Sequence, residues 1–153
     1  MGQINWTKVL LGGIVAGLII DVIQWVLHGL VPGPEWRQVM QELGRPLEES
    51  GGRMLFYVVL GLVYGILAVG AYAAIRPRFG AGPQTALYAG LGVWLLGYFL
   101  PTLTWIPMGL FPGRLVTIAA LVGLVEILLA TLAGAWLYQE HPWGAGAAAR
   151  RAA

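Results

Sequence analysis

The chain contains no cysteine in 153 residues, and only 10% of it is charged, against roughly 25% in an ordinary soluble domain. Without cysteine there are no disulfide staples, no thiolate metal sites and no thiol redox chemistry, so membrane oxidoreductases that work through cysteine pairs are excluded. Histidine is almost as scarce, with His28 and His141 alone. No HExxH, paired-aspartate cluster, phosphate-cradling glycine loop or Ser/His/Asp grouping occurs, which leaves hydrolase and metalloenzyme chemistry without a sequence basis. Dense basic tracts are missing too. The isoelectric point near 9.2 reflects a net charge of only +2 on scattered residues, which does not fit a nucleic-acid partner. The expectation is a non-enzymatic protein with no metal, no cofactor and no nucleic acid.

What is present is apolar: 58% of the residues are hydrophobic and the mean hydropathy is +0.74. The length fits one compact unit, and the scarcity of charge makes lipid its solvent. Apolar stretches run over about residues 8–30, 53–75, 84–106 and 114–138. At about 1.5 Å per residue, roughly 23 residues cover about 34 Å, enough to cross a ~30 Å hydrocarbon layer. The expected fold is therefore all-α, an integral membrane bundle of four transmembrane helices over 1–140 with a flexible cytoplasmic tail, 141–153. The first stretch is too long for a signal peptide, carries Asp21 and Gln24 in its later half and precedes no small-residue cleavage pattern, so it reads as a retained helix.

The connections carry their own punctuation. Between the first two spans, residues 34–43 have Pro34 at the first turn and Gly44 just past the end, with Trp36, Val39, Met40 and Leu43 at helical spacing. A short amphipathic helix is expected there, lying on the outer membrane surface or capping the bundle. Pro101 should kink or end the third helix near Leu100, and Pro107, Gly109, Pro112 and Gly113 mark a tight outer turn. Trp6, Trp136 and Trp143 fall near one interface and Trp25, Trp36 and Trp105 near the other, as an aromatic belt requires; only Trp94 sits deep.

Orientation follows from the nine Lys and Arg residues. Lys8, Arg76, Arg78, Arg150 and Arg151 lie on one side, and Arg37, Arg45, Arg53 and Arg114 on the other. The first set flanks the short connection Arg76-Pro77-Arg78, so that side is assigned to the cytoplasm with both termini.

Packing signals are plainer than chemical ones. Gly13 and Gly17, and Gly61 and Gly65, form small-xxx-small pairs that let backbones approach closely in lipid. In the last span Ala119, Gly123, Ala130 and Ala133 make a small-residue stripe with Glu126 in its middle. Asp21 continues the Gly13 and Gly17 face, with Gln24, Trp25 and His28 following it. Asp21 and Glu126 both fall near the bilayer midplane, where each acid costs on the order of 2.5–3.5 kcal/mol on insertion scales. With no Lys or Arg at that depth, the pair should share a proton or stand as neutral acids hydrogen-bonded to neighbours, with Tyr64 and Tyr98 at suitable depth. Two roles compete for this group: a clasp fixing helix register, at roughly 0.6 kcal/mol per hydrogen bond, and a proton or cation site. His28 and His141 lie a membrane thickness apart, too far to share one haem iron, which leaves His28 as a single possible ligand.

The layout of Ile4-Asn5-Trp6 before the first helix, Trp36 after it, Arg76-Pro77-Arg78-Phe79-Gly80 between the second and third, and Leu137-Tyr138-Gln139-Glu140 at the close resembles small four-helix bacterial inner-membrane proteins of unknown function. That resemblance spans roughly residues 3–140 and implies a bacterial inner membrane, without an activity or site residues. Locally, Leu11-Gly12-Gly13 followed by a membrane acid is similar to the first helix of small multidrug transporters, whose single membrane glutamate exchanges protons for cationic drugs. Here the acid is Asp21, farther from the glycines, and a second acid follows in the last span, so no residue is carried over. The favoured role is a structural or accessory membrane component, packing with itself or with a larger complex. A small proton-linked carrier of hydrophobic or cationic solutes through Asp21 and Glu126 comes second, and a lipid, quinone or pigment subunit using the groove beside Trp94 third.

The orientation is testable with single cysteines at Ser50 and Gly82 in an otherwise cysteine-free chain. A membrane-impermeant reagent added outside spheroplasts should label only the Ser50 variant. Labelling at Gly82 instead would invert the topology.

Overall fold

The computed structural model describes residues 4–30, 33–46 and 50–138. Its elements are α1 (Trp6–Leu30), α2 (Gly33–Glu42), α3 (Gly51–Phe79), α4 (Pro83–Trp94), α5 (Leu100–Leu103) and α6 (Gly113–Trp136), and no strand occurs among the described residues. A single π-helical turn, Leu95–Phe99, joins α4 to α5, so Pro83–Leu103 forms one continuous span. With α1, α3 and α6 it makes four helices long and apolar enough to cross a membrane. The protein is an all-α four-helix bundle, a multi-pass membrane fold. The tail from 141 onward, including His141, Trp143, Arg150 and Arg151, lies outside the described residues.

Each span begins and ends for local reasons. Asn5 opens α1 by accepting the Lys8 backbone N–H on its side-chain oxygen at 3.1 Å, which satisfies one of the free donors of the first turn. The second span does not end before Arg76-Pro77-Arg78. It continues through Pro77 to Phe79 and stops at Gly80, whose φ of 87° breaks the helical path. The basic pair therefore occupies the last turn of α3, and the connection is Gly80–Gly82. The third span ends at Leu103, short of 106: Thr104, Trp105 and Ile106 donate instead to carbonyls three residues back, and Gly109 turns the chain with φ 63°.

Lipid competes with protein for apolar side chains, so the helices associate where small residues let their backbones touch. On α1, a Cβ at Gly13 would lie 2.6 Å from the Ile66 Cα, and one at Gly17 would lie 2.5 Å from the Leu62 Cα. On α3, a Cβ at Gly65 would collide with the Gly17 nitrogen and the Gly13 carbonyl, and one at Gly61 with the Asp21 carboxyl. The α1–α6 contact is built the same way, with Gly12 set against the Gly134 carbonyl. Alanine fills the remainder of the core: Ala16, Ala68, Ala73, Ala89 and Ala130 are all buried. On α6 the buried line runs through Gly123, Glu126, Ile127, Ala130 and Gly134, leaving Ala119 and Ala133 half-buried at its edge.

The two ends of the bundle are closed differently. At one end α2 buries Val39, sets Trp36 edge-on against Phe111 at 4.8 Å, and pairs Glu35 with Arg114 at 3.7 Å. Its apolar face covers the 104–112 connection, so it caps the bundle. At the opposite end Tyr72 and Tyr138 pack edge to face, the Tyr138 hydroxyl accepts the Asn5 N–H, and the Arg76 guanidinium lies over the Tyr138 ring at 5.4 Å. This cluster ties the start of α1 to the ends of α3 and α6. Trp6, Trp25 and Trp136 are exposed near the helix ends, as aromatic anchors in a bilayer are.

The crossing of α1 and α3 leaves no room for a methyl group. Gly65→Ala should lower the midpoint of thermal unfolding in detergent by the equivalent of roughly 1–3 kcal/mol. Gly92→Ala, where a Cβ meets nothing within 4 Å, should be neutral or slightly stabilising.

Candidate functional site at the centre of the bundle

Pro101 has no N–H, so the carbonyl of Gly97, four residues earlier, loses the partner an unbroken helix would supply. The chain accommodates this by widening into the π-helical turn, with Leu100 N–H reaching back to the Leu95 carbonyl. The Tyr64 hydroxyl of α3 donates to the Gly97 carbonyl at 2.9 Å, and Gly97 permits the approach, since a Cβ there would lie 3.0 Å from the Tyr64 ring. The next residue, Tyr98, is carried against α6, where Gly123 provides the space for its ring.

Tyr98 meets the acid of α6 there. Glu126 is fully buried, and its Oε1 accepts two hydrogen bonds, from the Gln24 amide at 2.8 Å and from the Tyr98 hydroxyl at 3.1 Å. Gln24 also donates to the Tyr98 hydroxyl at 2.8 Å, which closes a triangle among α1, the third span and α6. Tyr64 stands beside it, its ring 5.8 Å from that of Tyr98, so all four spans contribute a polar group. Asp21, one turn before Gln24, has its Oδ1 against Gly61 of α3 and lies close enough to interact electrostatically with Glu126. The second oxygen of each acid, Asp21 Oδ2 and Glu126 Oε2, is buried without a hydrogen-bond partner.

The structure thus brings Asp21, Gln24, Tyr64, Tyr98 and Glu126 to one level of the bundle. Gly13, Gly17, Gly61, Gly65 and Gly123 form the close contacts around them. His28 lies on α1 beyond this group, and its side chain is outside what the structure describes. Trp94 is occupied by packing: its indole N–H donates to the Ala120 carbonyl at 2.9 Å and its ring stacks on Phe99. Threonines complete the polar accounting within the spans, with Thr102 and Thr131 each returning a hydroxyl to the carbonyl four residues earlier.

Sequence reasoning missed the cluster of Asn5, Tyr72, Arg76 and Tyr138, and it missed the partner of Tyr64. For Tyr64 a signal existed, because a proline inside a span names the carbonyl it leaves free. The cluster has none beyond the i, i+4 spacing of Tyr72 and Arg76 on α3, since Asn5 and Tyr138 lie far from them and from each other in the chain. No protein family matches this chain, and no curated protein or solved structure was found similar to it.

Gly123 is the space into which the Tyr98 ring fits, with a Cβ there only 2.7 Å from that ring. Gly123→Leu should displace Tyr98 and reduce the folded fraction in detergent on heating far more than Leu128→Ala at a half-buried position. Equal tolerance of the two would mean that this face of α6 does not receive Tyr98.

Proposed function

We propose that this is a non-enzymatic membrane protein, a structural or accessory component that packs with itself or with a larger membrane complex, and that its central polar group is a clasp. The observation that carries this reading is the triangle of Gln24, Tyr98 and Glu126: one buried carboxyl oxygen is bridged by donors from two other spans, which fixes the rotation of three helices at once. Such a clasp needs no substrate and no turnover. The basic last turn of α3 supports a bacterial cytoplasmic membrane with both termini inside.

A second reading has its own observation. The partnerless oxygens of Asp21 and Glu126 would suit a small proton-linked carrier of hydrophobic or cationic solutes. The readings separate with the amide variants Asp21→Asn and Glu126→Gln, which keep much hydrogen-bonding capacity and remove ionisation. For a clasp, both variants should fold, and native mass spectrometry in gentle detergent should show the copy number of the wild type, above one. Proteoliposomes should show no uptake of lipophilic cations driven by a pH gradient. Uptake by the wild type that disappears in either variant would establish the carrier, and a wild type that is strictly monomeric would remove self-association.

A further inference from the structure

Only one of the two oxygens of Glu126 is used. Gln24 Nε2 and Tyr98 OH both donate to Oε1, while Oε2 is buried with no partner. Asp21 repeats the pattern on α1, its Oδ1 against Gly61 and its buried Oδ2 equally without partner. Among the described residues, the polar groups at this level are Asp21 and Gln24 from α1, Tyr64 from α3, Tyr98 from the third span and Glu126 from α6. None of them is cationic. Lys8, Arg53, Arg76, Arg78 and Arg114 all lie in the terminal turns of their helices.

Two like-charged carboxylates near each other in a low-dielectric interior do not both stay ionised. A metal cation would need several oxygens converging on it, and among the described residues no third His, Cys, Asp or Glu joins these two. A proton needs only one oxygen to sit on and one neighbouring charge to hold it. The donors decide which oxygen: with two hydrogens already aimed at Oε1, the place left for another on Glu126 is Oε2.

We propose that Asp21 and Glu126 form a single-proton site at the centre of the bundle, with the proton on Glu126 Oε2 and the charge of Asp21 retaining it. The inference rests on the clasp reading for the geometry of Oε1. It adds that the clasp stores a proton, which a purely structural lock does not require.

The test is infrared spectroscopy of the full-length protein in vesicles of ether-linked phosphatidylcholine, which has no ester carbonyl to mask the signal. At neutral pH the wild type should show the carbonyl stretch of a protonated carboxyl group, shifted on exchange into deuterium oxide. The band should be lost in Glu126→Gln, and in Asp21→Asn it should shift and weaken or disappear, because the charge that retains the proton is gone. Should Glu126→Gln fail to fold, wild-type protein carrying carboxyl-13C glutamate should shift the band, whereas 13C aspartate should leave it in place. The proposal is overturned by the absence of the band, by its persistence in Glu126→Gln, by an unmoved band in Asp21→Asn, by a band that follows the aspartate label, or by its loss when sodium chloride replaces choline chloride. The clasp fails by a separate result: Gln24→Leu leaving the unfolding midpoint unchanged while the band remains.

Discussion

A carboxyl group inside a bundle surrounded by lipid can be satisfied only by other helices, and the arrangement of this protein depends on that constraint at Glu126. Hydrocarbon supplies no donor, so α1 must turn Gln24 inward and the third span must deliver Tyr98. The second delivery is the demanding one. It is met by Pro101, which opens a wider turn upstream, and by Tyr64, which satisfies the carbonyl that the proline leaves free. A defect in one helix thereby becomes the means of placing a donor on another.

The glycines belong to the same arrangement. Side-chain hydrogen bonds between spans form only when the helix axes are close, and Gly13, Gly17, Gly61 and Gly65 set α1 against α3 at backbone contact. Gly12 with Gly134 does this for α1 and α6, so Gln24 reaches Glu126 from a helix already drawn in. Polar and small residues cooperate here: the small ones provide proximity and the polar ones fix rotation.

The four spans were legible because lipid imposes a length and a composition that few other environments allow. The acids were legible for the opposite reason, since Asp21 and Glu126 violate that composition and their depth can be counted from helix ends. The rotation of Tyr98 was not legible, because it depends on a widened turn that shifts the register of every later residue in the third span. The end of α3 was misplaced because Arg76-Pro77-Arg78 was taken as the connection, whereas the helix runs on through Pro77 to Phe79. Trp94 looked available because it is deep and aromatic; its indole N–H is taken up by a backbone carbonyl that no sequence pattern marks.

The unequal lengths of the spans have a mechanical consequence. At 29 residues α3 is about 43 Å long, while the 21 residues of the third span cover only about 32 Å at the same rise. A hydrocarbon slab of ~30 Å matches the shorter helix and mismatches the longer one. The longer helix meets such a slab by leaning or by a local change in its thickness, with the basic pair Arg76 and Arg78 in the last turn at one end and the exposed run Met54–Tyr57 near the other. The apolar run Met54–Tyr57 is exposed in that surplus of length, so α3 alone carries a length that the shorter third span does not share.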